Sequence, residues 1–277
     1  MIEEIIDFAF REDIGEGDHS SLACVPENAQ GKAQLIIKEV GVLAGVELAE
    51  RIFHRYDPDL ELTLFKKDGD QVYPGDIVLE VRGASRSILA TERLVLNFMQ
   101  RMSGIASLTH RMVALIADLP TSLLDTRKTT PGIRLMEKWA VRIGGGKNHR
   151  FALYDMIMLK DNHIDYAGGI QKAIESTHQY LRTHKKDLKI EIEVRNLDEL
   201  HEVLENPKVD RIMLDNFSIS DIQVAMTLIP DGIEVEASGG ITEETLRTYA
   251  ATGVHFISMG ALTHSYKSMD MSLKAFF

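Results

Sequence analysis

Three short stretches set cations beside turn-forming residues: Asp125-Thr126-Arg127-Lys128, the run Gly144-Gly145-Gly146-Lys147-Asn148-His149-Arg150, and Lys160-Asp161-Asn162-His163. Arg127, Lys128, His149, Arg150 and Lys160 each follow a short apolar segment. They would therefore converge if those segments were neighbouring strands of one sheet. The planar fork of arginine suits carboxylate or phosphate in two-point contact, so the cluster points to a substrate with more than one negative charge. Lys128 and Lys160, taken singly, read as ordinary solvated lysines, and Lys147 reads as solvated rather than functional. Two carboxylates follow, Glu193 in "IEIEV" and Asp215 at the end of "RIMLD". Among cations they can hold Mg²⁺, bind sugar hydroxyls or stabilise a positively charged transition state. Glu193 on its own reads as an outward strand residue alternating with Glu191. Asp215 is harder to dismiss, because it closes a strongly apolar strand.

A second chemistry is written in glycine. Ser238-Gly239-Gly240 ends an apolar run and precedes a helix opened by Thr242, with Glu243 and Glu244 in its first turn. Gly260 sits in a similar turn that carries His264. Glycines let backbone N–H groups approach an anion, and barrels often bind phosphate after their last strands. A single glycine pair more often makes only a tight turn; two adjacent glycine turns favour phosphate. No Cys/His cluster suggests zinc, and no nucleophile elbow is present. The single cysteine, Cys24, excludes an intrachain disulfide framework.

Positioning these groups requires an alternating architecture. After Pro120 the apolar segments "SLLD", "AVRI", "MIMLK", "IEIEV", "RIMLD", "IEVEA" and "VHFIS" recur, most separated by amphipathic stretches such as 198–205, 220–229 and 243–251. Strands alternating with helices predict a parallel sheet, and seven such units predict a barrel. "AVRI" is the weakest of the seven. The glycine run is expected to turn the chain so that His149 and Arg150 face the ligand. Residues 1–85 instead read as mixed α+β, with a helix over 2–11 and strands at 33–40, 60–65 and 76–81. From Ser87 to Ala117 the period is helical, with Gly104 as an expected break. Arg93 lies beside that apolar stripe and reads as a solvated helix arginine. The chain has 277 residues and a formal net charge of -11. That charge argues against nucleic acid or an anionic membrane as partner. The acidic N-terminus and the lack of a membrane-length apolar run predict a cytoplasmic protein.

Taken in order, "EDIGEGD", "TERLVLNFMQRMSGIA", "DTRKTTPGIR", "GGGKNHR", "LKDNHI", "EIEVRNLDEL", "IMLDNF", "SGGI" and "GALTHS" resemble the quinolinate phosphoribosyltransferase family over nearly the whole chain. The resemblance implies an N-terminal α+β sandwich domain over 1–115, joined by the tail 266–277, and an open seven-stranded α/β barrel over 116–265. It implies transfer of phosphoribosyl from phosphoribosyl pyrophosphate to quinolinate with decarboxylation, with Mg²⁺ and no organic cofactor. Arg127, His149, Arg150 and Lys160 would hold the two carboxylates of quinolinate, and Arg93 would enter from the partner of a homodimer. Lys128, Glu193 and Asp215 would serve phosphoribosyl pyrophosphate, the two acids also its Mg²⁺. Ser238, Gly239, Gly260 and His264 would bind its 5′-phosphate. Whether dimers stack into hexamers stays open, as does the group that protonates the ylide left by loss of CO₂.

Three rivals compete. A related family linked to molybdenum-transport operons keeps the fold, but the intact "TRKTTPG" and "GGGKNHR" favour quinolinate. A nicotinate-using transferase needs fewer cations for its single carboxylate. A non-catalytic anion sensor has no use for Glu193 and Asp215.

Overall fold

The computed structural model describes residues 1–276. The chain forms two compact units, the first from Met1–Arg111, Lys128–Gly145 and Ala261 onward, the second from Met112–Arg127 and Gly146–Gly260. The segment 128–145, expected with the barrel, thus belongs to the first unit. No helix among the described residues is long and apolar enough to cross a membrane.

In the first unit α1 (Ile2–Asp13) and α2 (His19–Cys24) precede β1 (Gln30–Ile37) and β2 (Gly41–Val42). Then come α3 (Val46–Tyr56), β3 (Glu61–Leu64), β4 (Gln71–Val72), β5 (Ile77–Ala84) and α4 (Ser85–Leu115). Alternation sets the main sheet: Ala33, Leu35 and Ile37 of β1 are buried while their neighbours are less so. Its order is β12-β1-β5-β3, where β12 (Met271–Ala275) is the tail, paired antiparallel with β1 through Leu35 and Leu273. Gly104 does not break α4, which runs for 31 residues. A Cβ there would lie 2.2 Å from the Lys267 carbonyl oxygen, so the glycine makes room for the tail rather than ending the helix.

The segment "AVRI" is not a strand. It is the last turn of α5 (Arg134–Ile143), whose Met136, Glu137, Ala140 and Val141 are buried at helical spacing. Four apolar residues out of context cannot tell the two periods apart. Glu137, fully buried, accepts from Arg101 at 2.7 and 2.9 Å and from the Thr130 amide at 2.9 Å. Arg101 also donates to the Thr130 hydroxyl, and the Thr263 hydroxyl donates to the Lys128 carbonyl at 2.8 Å. These bonds clamp the loop that begins at Lys128.

The second unit is a parallel sheet of β6 (Ser122–Leu124), β7 (Ile157–Leu159), β8 (Ile190–Val194), β9 (Arg211–Asp215), β10 (Glu234–Ser238) and β11 (Phe256–Ser258). Its order, β6-β11-β10-β9-β8-β7, pairs the first strand with the last, which curls the sheet into a barrel. The seventh position is filled by a single bridge beyond the glycines. The Lys147 amide donates to the Leu123 carbonyl at 2.8 Å, and the Asp125 amide to that of Lys147 at 3.2 Å. No strand pairing joins Lys147 to β7 among the described residues, so the barrel is open there. The crossovers are α6 (Asp161–Ala167), α7 (Ile170–His184), α8 (Leu197–Glu205), α9 (Ile219–Leu228) and α10 (Glu243–Ala250). The chain returns to the first unit at α11 (Ala261–His264).

Two of the three glycines have separate reasons. A Cβ on Gly144 would lie 2.4 Å from the Ala106 carbonyl oxygen on α4, whereas Gly145 has a left-handed φ of 92°. Gly144→Ala should therefore destabilise the chain by roughly 2–3 kcal/mol through a forced backbone shift. Gly145→Ala should cost about 1 kcal/mol. Urea unfolding of both variants checks the order; equal losses would deny the collision.

Candidate active site

The strands of the second unit carry an inverted alternation. In β8 Ile190, Ile192 and Val194 are buried, as are Val235 and Ala237 of β10, and this set packs toward the helices. The alternate residues, Glu191, Glu193, Glu234, Glu236 and Ser238, therefore point into the barrel. Barrel interiors are ordinarily filled by branched aliphatic side chains. Here the middle layer holds Glu191 and Glu236, both fully buried, and His149.

His149 Nε2 lies 3.0 Å from Glu191 Oε2 and 3.4 Å from Glu236 Oε2. Arg211, over the Phe256 ring at 4.1 Å, donates to Glu236 at 3.0 Å and to Glu234 at 2.9 Å. Burial opposes a charge on His149, but Glu191 and Glu236 outweigh it and raise the imidazole to about 9. Burial, then Glu236, pushes Glu191 up. Burial also acts on Glu236, yet His149, Ser258 and Arg211 hold it below the ordinary carboxylate range. Nδ1 accepts the Arg150 amide at 2.7 Å, so a second ring proton has no room there. Nε2 is accordingly the ring nitrogen turned to the carboxylates, 3.0 Å from Glu191. This also disfavours a metal at the only His/Glu cluster among the described residues with ligand-like spacing, because a ligating Nε2 would leave its proton on Nδ1.

Above that layer lie the ends of the strands. Lys160, after β7, donates to Glu193 Oε2 at 2.5 Å. Asp215, ending β9, accepts from Asn216 Nδ2 at 2.7 Å and lies in register with Ser238 of β10. Asn216 has a left-handed φ of 57°, and its amide donates to the Ser238 carbonyl at 2.8 Å. A Cβ on Gly239 would sit 2.2 Å from Asn216 Oδ1, so these two turns fit only with glycine at 239. Gly239 and Gly240, with φ of 95° and 62°, and Gly260 after β11 form the remaining turns. The α10 N-terminus is a poorer anion site than its sequence suggests. Thr242 caps it, and Glu243 and Glu244 occupy its first turn.

Asp125, fully buried at the end of β6, receives the His149 amide at 2.8 Å and Asn148 Nδ2 at 2.5 Å. It ties the exit of the glycine run to the strand before Arg127. Arg150, half-buried, donates to the Met156 carbonyl at 3.1 Å. Burial lowers its pKa, and the nearby Arg127 lowers it further, which places the two guanidinium groups within each other's field. An anion between them would relieve that repulsion.

Of the residues singled out in the sequence, the second unit thus carries Arg127, Lys160, Glu193, Asp215, Ser238, Gly239 and Gly260 at or just beyond the carboxyl ends of its strands, and Arg150 just beyond the Lys147 bridge. His149 comes with them but turns its ring inward, its side chain 4% exposed. Arg93 is exposed on α4; Lys128, in the loop before α5, and His264, in α11, are exposed too and also belong to the first unit, with His264 Nδ1 2.7 Å from Ser265 Oγ. Asp125, Asn216 and Glu236 carry no role readable from the motifs alone. The signal for Glu236 was available in "IEIEV" and "IEVEA", two apolar strands with glutamate at alternate positions.

Glu193 and Asp215 offer hard oxygen donors on adjacent strands, the donor type that a divalent cation such as Mg²⁺ prefers.

The sequence matches the description "Quinolinate phosphoribosyl transferase, N-terminal domain" over residues 18–103 and the corresponding C-terminal domain over 105–274. It is 47% identical to a Nicotiana tabacum protein named quinolinate phosphoribosyltransferase [decarboxylating] 1b, over 99% of this chain and 82% of that one. It is 41% identical to a probable nicotinate-nucleotide pyrophosphorylase [carboxylating] of Bacillus subtilis, over 99% and 93%. The crystal structure of NadC from Streptococcus pyogenes superposes with a TM-score of 0.92 at 42% identity, covering 100% of this chain and 97% of that one.

Asp125→Ala removes the acceptor of two donors and should destabilise the chain by about 3 kcal/mol. Asp125→Asn, which keeps one acceptor, should lose roughly half as much. Thermal and urea unfolding measure both, and a neutral Asp125→Ala would contradict the tie.

Proposed function

The chain belongs to the quinolinate phosphoribosyltransferase family, and on that premise we propose that it transfers phosphoribosyl from phosphoribosyl pyrophosphate to quinolinate with decarboxylation, a step of NAD biosynthesis. The observation that carries this reading is the pairing of two kinds of charge at one set of strand ends. Arg127, Arg150 and Lys160 supply positive charge for a dicarboxylate, and Glu193 and Asp215 supply negative charge for a developing cation.

Arg127 and Arg150 orient quinolinate by two-point contacts to its carboxylates, with Lys160 adding a third charge. Lys160 is held by Glu193 in this structure and would exchange that partner for substrate. Breaking the bond between ribose C1 and pyrophosphate leaves oxocarbenium character on the sugar, which Glu193 and Asp215 stabilise. They would also hold Mg²⁺, which when bound supplies charge neutralisation of the leaving pyrophosphate. The pyridine nitrogen donates its lone pair to C1 and becomes a quaternary pyridinium. The adjacent carboxylate then departs as CO₂, its bonding electrons staying on the ring carbon beside that cationic nitrogen. A proton completes nicotinate mononucleotide. Within the second unit, Ser238, Gly239 and Gly260 bind the 5′-phosphate of the donor.

Arg93 reads as the partner subunit's contribution to a homodimer with a shared site, supported by its exposure on α4 and by the family pattern around it. Against a nicotinate-using transferase stands the number of cations, and against a bare sensor stands the pair of acids.

The deciding assay supplies quinolinate and phosphoribosyl pyrophosphate and counts CO₂ and pyrophosphate, expected in equal amounts. Nicotinate should not substitute. Arg150→Ala should weaken quinolinate binding by roughly 30-fold or more while phosphoribosyl pyrophosphate still binds. Near-normal affinity in calorimetry would count against the assignment. Mixing Arg93→Ala chains with Glu193→Ala chains should restore part of the activity through hybrid dimers, and no rescue would argue against a shared site.

A further inference from the structure

Glu191 and Glu236 take no part in the reaction just described, yet they are the least expected residues in the barrel. A buried carboxylate costs several kcal/mol unless cations or donors answer it, and apolar side chains of similar size would fill the same layer more cheaply. Their neighbour His149 shows what they do. Its side chain is 4% exposed, and both ring nitrogens face protein groups: Nε2 the two glutamates, Nδ1 the Arg150 amide. Neither nitrogen is available to a substrate carboxylate without the ring turning over.

The Nδ1 bond is made to the amide of residue 150 itself, so the ring plane and the peptide joining His149 to Arg150 move as one body. On the other side, Asp125 Oδ1 receives the His149 amide. Both peptide groups flanking His149 are therefore held, one by Asp125 and the other by a ring that the glutamates orient from below. Arg211 supplies the countercharge, donating to Glu236 at 3.0 Å while itself 12% exposed. An arginine whose backbone is held this way keeps its direction when an anion binds, and the ordering entropy is spent in folding rather than in binding.

We propose that Glu191 and Glu236 are positioning residues of the quinolinate half of the site, acting through a buried His149 that orients Arg150 and does not itself touch quinolinate. This rests on the function proposed above for its substrate, and on geometry alone for its mechanism.

The test uses the full-length chain. His149→Ala is expected to weaken quinolinate in calorimetry by roughly 30-fold and Glu191→Ala by roughly 10-fold, with phosphoribosyl pyrophosphate affinity changed less than about 3-fold in either. The double variant should be no weaker than His149→Ala alone, since Glu191 acts through that ring. Additive losses, or equal weakening of both substrates, would overturn the proposal. A substrate-free readout accompanies it: hydrogen exchange at the Arg150 amide should accelerate at least 10-fold in both single variants. Unchanged exchange would overturn it regardless of activity. If Glu191→Ala does not fold, Glu191→Gln keeps the packing and carries the same cycle with a smaller expected loss. Failure of the wild-type chain to bind quinolinate would sink the functional reading, while the exchange measurement would still decide whether the glutamates hold Arg150 in place.

Discussion

Charge buried away from water must be answered locally, and the barrel of this protein is organised around that requirement. Its interior does not repeat the aliphatic layers usual for the fold. Glu191 and Glu236 meet His149 and Arg211, and Asp125 at the end of β6 meets the backbone beyond the glycine run. Each of these contacts joins segments distant in sequence. The ionic layer ties together the strands whose ends carry the proposed site.

The same requirement explains the glycines. Gly144 packs under α4 with no room for a side chain, Gly145 takes a left-handed turn, and Lys147 then bridges to Leu124. The chain thus arrives beside β6 without a regular strand, as the seventh member of an otherwise six-stranded sheet. A full strand there would pair on both sides. One bridge pairs on one side only, which leaves the barrel open between Lys147 and β7. The second set of turns obeys a parallel rule. Asn216 and Gly239 approach so closely that a Cβ cannot fit, and the contact aims Asn216 at Asp215.

The site's own charges are placed in opposition. Arg127 and Arg150 lie in each other's field, a repulsion that a dicarboxylate would relieve. Lys160 and Glu193 are paired, one from each class of charge that the proposed reaction needs. In the proposed reaction substrate binding is an exchange of partners, and exchange of charged partners in a half-buried setting is more selective than capture by free lysines.

Much of this was legible in the residues. Alternating apolar segments and amphipathic stretches indicated a parallel α/β barrel, and the motifs at strand ends indicated the family. Three features were not. "AVRI" lies in a helix, because four residues do not separate a period of 3.6 from a period of 2 and only packing around Met136 and Ala140 decides. Gly104 passes through α4 unbroken, because the partner that needs its space, Lys267, lies far along the chain. The glutamates of "IEIEV" and "IEVEA" alternate plainly, but alternation says that two faces differ, not which one is inside. In a barrel wrapped by helices the outer face is also buried, so isoleucine and valine could take it and leave the interior to charge. Sequence alone therefore determined which residues share a face and which motifs share a chemistry. The direction each face looks, and with it the inward turn of His149, was decided only when the first strand paired with the last.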